Sequence, residues 1–372
     1  MQTRTLIAVA GAAVVVGAVA FFAGERSGTA PQQAGTGEKL FPALAQRMGD
    51  VATVALTAEG VTSKVVKKGD AWVLASKGDF PVKPDRIRDV LVGVAELTKL
   101  EARTAKAELH DKLEVEPPEG AKAKSRLVVL ETASGEKLAS VVIGKTGPNA
   151  GADKPTTFVR KPDESQVWLA TGRVQLPAGE IGWVDRQITH LRQERVREAV
   201  LQLEPGKTLR VYRNAWTERN LALADMPKGH KLKSESSANT VAFALEYLDF
   251  DDVAPRPTAG EVAGAQVLAT YRTLDGVEIT AKAFTRDGKE WVALDASFVA
   301  PKEPVPAEAQ ADVLSEEVRL RSPDKAKAEA EALQAKLGKW IYRLPDHKMS
   351  RLRTKLDELV EPEKPAQEKG KS

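Results

Sequence analysis

Residues 127–143 read LVVLETASGEKLASVVI and residues 267–284 read VLATYRTLDGVEITAKAF, and the likeness of these two stretches decides how the chain is parsed. Each holds two runs rich in Val, Leu, Ile and Thr around a polar turn, with Gly135 in the first and Gly276 in the second. Such runs, broken by Ser-Gly or Asp-Gly, read as a β-hairpin. Two hairpins of one pattern so far apart predict a duplication.

The sequence around each hairpin follows the same order. VATVALT, TSKVVKK and DAWVLAS lie between Val51 and Ala75, separated by Glu59-Gly60 and Gly69-Asp70, and read as an antiparallel meander. After the Pro81 to Pro84 turn, Ile87, Val90, Leu91, Val94, Leu97 and Leu100 recur at helical spacing. A polar linker from Ala102 to Lys124 leads to the hairpin, and TTFVRK and SQVWLA add further strands. The later copy starts with REAVLQLE, TLRVYRN and AWTERNLAL, followed by a Ser/Asn-capped helix with Ala238, Val241, Leu245 and Leu248 on one face. Trp72 falls opposite Trp216, Leu97-Thr98-Lys99-Leu100 opposite Leu245-Glu246-Tyr247-Leu248, and FVRKP opposite WVALD. Trp183-Val184-Asp185-Arg186 and Trp340-Ile341-Tyr342-Arg343 close the two copies. Convergent patterning of two meanders explains part of this, but so many correspondences in order favour duplication.

The expected fold is therefore α+β, with two similar halves over 40–190 and 191–360, each of antiparallel meanders with an amphipathic helix. The second half carries a helical insertion, 301–339. Leu314 and Val318 mark one helical stretch there, and Ser322-Pro323-Asp324 starts another that Gly338 stops. Ala326, Ala330, Leu333 and Leu337 give it a narrow apolar stripe, suited to the protein's own body or to a partner helix. A last helix is expected after Pro345, with Met349, Leu352, Leu356 and Leu359 on one side, and 361–372 is expected to be a disordered tail.

Ahead of the halves stands Leu6–Ala23, LIAVAGAAVVVGAVAFFA, without a charge. At about 1.5 Å per residue such a helix just crosses a hydrocarbon core of about 30 Å. Ala18-Val19-Ala20 resembles a signal cleavage site, but the run continues through Phe21 and Phe22, so an uncleaved N-terminal transmembrane helix (1–24, with a spacer over 25–39) is the expectation. Arg4 before the run places the N-terminus inside and the bulk outside, at a bacterial inner membrane facing the periplasm.

A formal net charge of +3 with 29% charged residues gives no field for nucleic acid. With no cysteine, disulfides, thiolate metal sites, cysteine nucleophiles and lipidated cysteine are excluded. His110, His190, His230 and His347 are far apart, with no H-x-x-x-H spacing. Asp249, Asp251 and Asp252 resemble an oxygen-ligand cluster for calcium but lack the order of a binding loop, and a solvated turn is the expectation. No G-x-S-x-G, phosphate-binding loop or dinucleotide fingerprint occurs. The basic clusters Arg319/Arg321 and Arg351/Arg353/Lys355 are read as solvated faces, with membrane-surface contact the alternative. Trp72, Trp168, Trp216 and Trp291 lie in strand patterns and are expected to pack in cores, whereas Trp183 and Trp340 belong to the closures. No catalytic, cofactor or metal-binding residue is nominated, and the chain is expected not to be an enzyme.

The anchor, the G-D-A-W-V strand at 69–73, the proline-led helix ending in L-T-K-L and the F-V-R and V-W-L strands together resemble a bacterial domain-of-unknown-function family, number 4340. The resemblance spans about Leu40 to Pro362 and rests on no catalytic motif. It implies membrane-anchored proteins encoded beside ABC-transporter subunits of the type linked with gliding motility. The expected function is thus a noncatalytic extracytoplasmic accessory or scaffold of an ABC-type membrane complex, with transporter subunits or other envelope proteins as partners. The alternative is an envelope polymer- or peptide-binding module using the cleft between the halves, with the tryptophans as its platform.

Overall fold

The computed structural model describes residues 37–149, 154–257, 265–302, 315 and 318–363. The α+β expectation is corrected there, because strand takes 40% and helix only 23% of the described residues. The expected transmembrane helix, Leu6–Ala23, lies outside the described residues, and among those described no helix is long and apolar enough to cross a membrane. The chain packs as two compact units, one of residues up to Asp70 with Pro84–Leu176, the other of Ala71–Lys83 with the chain from Pro177 onward.

In chain order the elements are α1 (Leu44–Arg47), β1 (Val51–Ala58), β2 (Val61–Lys68), β3 (Ala71–Leu74), β4 (Phe80–Pro81), α2 (Pro84–Glu96), β5 (Thr98–Ala102), β6 (Arg126–Thr132), β7 (Lys137–Gly147), β8 (Thr156–Arg160) and β9 (Val167–Thr171). Within the first unit the strands run in the order β2-β1-β6-β7-β8-β9-β5, each neighbouring pair antiparallel. Side chains alternate between faces along a strand, and the register places Val54, Leu56, Val128, Leu130, Val141, Ile143 and Val159 on one face, all buried. α2 turns Ile87, Val90 and Val94 inward, the period its sequence announces. The opposite face carries Val142, Phe158 and Leu169, closed over by Val115. Val115 comes from the stretch read as a polar linker, which instead forms two 3-10 turns, Ala107–Leu109 and Asp111–Leu113. With one apolar residue in its middle fully buried, that stretch works as a lid on the core rather than a spacer.

The second unit opens with the β3–β4 hairpin, Val73 opposite Pro81, and continues with β10 (Gln187–Thr189), β11 (Val196–Glu204), β12 (Lys207–Tyr212), β13 (Ala222–Leu223), β14 (His230–Leu232), α3 (Asn239–Ala242), β15 (Leu248–Asp249), β16 (Asp252–Pro255), β17 (Gln266–Thr273), β18 (Val277–Arg286), β19 (Lys289–Phe298), α4 (Pro323–Leu337), β20 (Trp340–Arg343), α5 (Asp346–Leu352), α6 (Leu356–Leu359) and β21 (Val360–Pro362). Its main sheet has the order β13-β12-β11-β17-β18-β19-β20-β16. α4 lies on β19 and β18, with Ala326, Ala330 and Leu337 buried beneath it. An aromatic cluster joins Phe80 to Trp340 at 4.8 Å and to Phe250 at 5.6 Å, and Phe250 to Tyr342 at 5.4 Å.

Setting β11 against β1, β17 against β6 and so on, the two sheets share one strand permutation. Three details of the sequence-level correspondence change. Trp340 lies in β20, which holds the sheet position of β9, so its topological counterpart is Trp168 and not Trp183, which ends a 3-10 turn. The strand matching β3 is Ala222–Leu223, several residues after Trp216. Leu97-Thr98-Lys99-Leu100 is not a helix end, because α2 stops at Glu96 and β5 begins at Thr98.

The expected second-half helix shrinks to the single turn of α3 with a 3-10 continuation, Phe243–Leu245, while Leu248 enters β15. Thr240, Val241 and Phe243 are weak helix formers, and no side chain caps its start. The helix after Pro345 is two short ones broken at Arg353. Glu361 and Pro362, expected in the tail, pair with His230 and Lys231 in the small β14–β21 sheet. In the insertion, Leu314 lies outside the described residues, and Val318 is buried in a turn rather than a helix.

Candidate functional site

The residues that the sequence singled out are each taken up by local structure. Asp249, Asp251 and Asp252 are neutralised from three stretches of chain: Arg186 reaches Asp251 at 2.7 Å, Lys348 reaches Asp249 at 3.6 Å, and Lys77 reaches Asp252 at 2.8 Å. A carboxylate already paired offers little to a hard cation, and among the described residues no group of three acidic or histidine side chains is placed to hold a metal ion. Buried His110 makes a 3.0 Å hydrogen bond between Nε2 and the Ser165 carbonyl, His230 a 3.1 Å one with the Lys228 carbonyl, and His190 stacks on Tyr247 at 4.3 Å. Exposed His347 follows Asp346 in α5.

Of the basic clusters, Arg353 pairs with Glu290, and Arg321 turns to the Arg319 carbonyl at 2.9 Å. No tryptophan is exposed: Trp168, Trp183 and Trp291 are buried, and Trp72, Trp216 and Trp340 are half-buried. An aromatic platform for sugars or peptides needs open ring faces, which the three buried tryptophans lack and the three half-buried ones offer only in part.

What the sequence did not single out is a cavity of about 370 Å³ in the first unit, lined by Arg86, Arg126 and Arg173 with Thr146 and Thr157. Its floor crosses the sheet. Arg126 opens β6 opposite Ile143, and a register shift between Ile143 and Thr146 opens β7 just where Thr146 faces Thr157 of β8. Alternation along β6 puts Arg126 on the same face as buried Val128 and Leu130, at the end of an otherwise apolar row. The wall is the segment Arg173–Leu176 after β9, which Gly93 of α2 admits. A Cβ on Gly93 would meet the Val174 Cα at 3.0 Å and the Arg173 carbonyl at 3.1 Å, so only glycine lets the helix and this segment approach so closely. Arg86, in the first turn of α2, completes the ring.

No acidic side chain lines this cavity, and Arg86, Arg126 and Arg173 have no carboxylate or hydrogen-bond partner among the described residues. The hydroxyl of Thr157 is engaged, donating to the Gly172 carbonyl at 3.0 Å. Three guanidinium forks around one space repel one another and present only donors, which is the complement of an anion. Among the described residues the lining contains no histidine, carboxylate, lysine or serine to accept or move a proton.

Other arginines bound to carbonyls show the contrast. Arg160 donates to the carbonyls of Val115, Lys161, Pro162 and Glu164 at 2.9–3.2 Å, and burial pulls its pKa below the usual arginine value against the opposing charge of Glu119. Arg213 likewise donates to Glu218 and Gln193 carbonyls, with its pKa lowered by burial. These two fasten loops, whereas the cavity arginines have nothing to fasten.

No curated protein and no solved structure matches the chain. A family model described as a domain of unknown function (DUF4340) matches residues 72–271, from β3 to the end region of β17 and more than half of the 372 residues. The duplicated sheets with their arginine-lined cavity therefore sit in a chain that belongs to the DUF4340 family.

Proposed function

We propose that the protein is a noncatalytic accessory component of an ABC-type membrane complex, tethered at the membrane through Leu6–Ala23 and acting by binding rather than by chemistry. The observation that carries the binding half is the arginine-lined cavity, which among the described residues presents three unpaired cations and no histidine, carboxylate or lysine to serve as general base. The family resemblance supports the partnership half, since it implies proteins encoded beside transporter subunits. The polymer- or peptide-binding alternative keeps only the three half-buried tryptophans, Trp72, Trp216 and Trp340, as its aromatic support.

The test is affinity capture of the tagged full-length protein from native membranes after crosslinking and extraction in mild detergent. Recovery of transporter subunits by mass spectrometry is the expected result. Capture that returns no transporter subunit, from a preparation in which the protein fractionates away from membranes, overturns the proposal.

A further inference from the structure

The ligand class of the arginine cavity follows from three of its features: charge, size and wall. Arg86, Arg126 and Arg173 place three positive charges around it without one acidic neighbour among the described residues of the lining. A single carboxylate would balance one of them, so the matching ligand carries two or more negative charges. Arginine forks are the protein groups whose geometry best fits phosphate and carboxylate oxygens, two bonds at a time. The first turn of α2, where Arg86 stands, adds the partial positive charge of a helix start. The volume, about 370 Å³, falls within the roughly 300–1,000 Å³ typical of small-molecule sites. Ile143, Val174 and Leu176 give an apolar side to the wall, which suits an organic body attached to the charged group.

The duplication supplies an independent argument. Aligning Gly135 with Gly276 puts Val267 opposite Arg126, and aligning Trp168 with Trp340, its counterpart in the sheet, puts Pro345 opposite Arg173. The second unit repeats the strand order without repeating these cations. They are thus not needed to build the sheet. Arg86 and Arg173 are exposed, without a carboxylate or carbonyl to hold among the described residues, so none of these stabilises the unit through pairing with them.

We infer that this cavity binds a small organic anion bearing a multiply charged oxyanion, either a phosphate monoester or a polycarboxylate. The inference rests on the binding reading of the cavity and is independent of the transporter partnership.

Purified full-length protein in detergent is titrated at low ionic strength with glycerol 3-phosphate, with citrate and with inorganic phosphate. In parallel, it is mixed with phosphatidylcholine vesicles with or without phosphatidic acid, which distinguishes a soluble phosphate ester from a lipid headgroup. Saturable binding of glycerol phosphate or of citrate, tighter than that of inorganic phosphate, is expected. Loss of one charge-assisted contact in Arg126→Gln should weaken it about tenfold or more. Arg86→Gln and Arg173→Gln, both at exposed positions, should weaken it by smaller factors and preserve the melting temperature.

Arg88→Gln is the control, because Arg88 sits on the same helix, pairs with Asp85 at 2.6 Å and lines no part of the cavity. If Arg126→Gln does not fold, the double variant Arg86→Gln/Arg173→Gln carries the test. The inference is overturned if the folded wild type binds none of these probes, or if Arg88→Gln weakens binding as much as the cavity variants do. Either outcome leaves membrane capture of a transporter partner intact, so the two readings fail separately.

Discussion

Arg195 shows how a single residue holds the second unit together. Its guanidinium donates to Asp275 at 2.8 Å and to both oxygens of Glu329 at 2.8 Å, with the Arg195 and Asp275 side chains 4% and 1% exposed. Asp275 lies in the turn between β17 and β18 and also accepts the Arg321 amide at 2.8 Å, while Glu329 comes from α4. Burial pulls the Arg195 pKa down, and the two carboxylates more than reverse it, so the arginine stays charged. A buried pair adds little over an apolar replacement of both partners, but removing one partner leaves a naked charge in the core. Arg195→Met is therefore expected to cost about 3–5 kcal/mol in urea unfolding. Glu329→Gln should cost much less, since Glu329 is 29% exposed and Asp275 remains to balance the arginine. Equal losses for the two would show that the pair is not what matters.

Helix α4 illustrates the scale of the element. Its period is correct in the sequence: Ala326, Ala330 and Leu337 are buried and Leu333 is half-buried. The sequence leaves open whether that stripe meets the body or a partner, and it meets β19 and β18. Small residues on the stripe let the helix axis come close to the sheet, and Gln334 fixes the height by accepting the Ala296 amide at 2.7 Å. The side chain of Ser322 makes no capping hydrogen bond, so the start of α4 rests on Pro323 in the first position. Ala330, at 1% exposure, has no room for growth. Ala330→Leu is expected to destabilise by about 1–3 kcal/mol, read as a lower melting temperature, against almost no change for Ala332→Leu on the exposed side. A neutral Ala330→Leu would place the helix further from the sheet than described.

At the scale of the whole molecule, the repeat in the sequence and the packing of the chain do not share boundaries. Residues 71–83 belong to the first copy by pattern and to the second unit by packing. Within that unit, Phe80 packs on Trp340 and Phe250, Lys77 pairs with Asp252 at 2.8 Å, and Gly78 lies against Pro255. A fragment of residues 40–190, cut where the sequence repeat suggests, keeps this segment and its bridge from Val82 to Val184 but deletes Phe250, Asp252, Pro255 and Trp340, on which it also rests. Its Phe80, buried in the intact chain, then loses both of its aromatic neighbours. The fragment should bind an apolar dye and melt below the intact protein, whereas dye-free, fully cooperative melting at the intact protein's temperature would contradict the shared packing.

The local pattern by itself determined most of the strands (of the run from Ala215 to Leu223 only Ala222–Leu223 is strand), the amphipathic period of α2, the hairpins at Gly135 and Gly276 and the order of the repeated parts, because alternation and helical spacing are written in neighbouring residues. It also determined that the acidic run at 249–252 lacks the order of a calcium loop. Only the tertiary structure decided that strands outweigh helices, since α3 stops after one turn and the 102–124 stretch caps a core through one valine. The pairing of Trp340 with the position of Trp168 was likewise invisible, because strand order depends on partners distant in sequence. The cavity is the clearest case. Arg86, Arg126 and Arg173 come from a helix start, a strand start and a loop, each ordinary in its own stretch, and their common property is a missing counter-ion. A missing partner leaves no mark in a sequence, because it is defined by what folding fails to bring near.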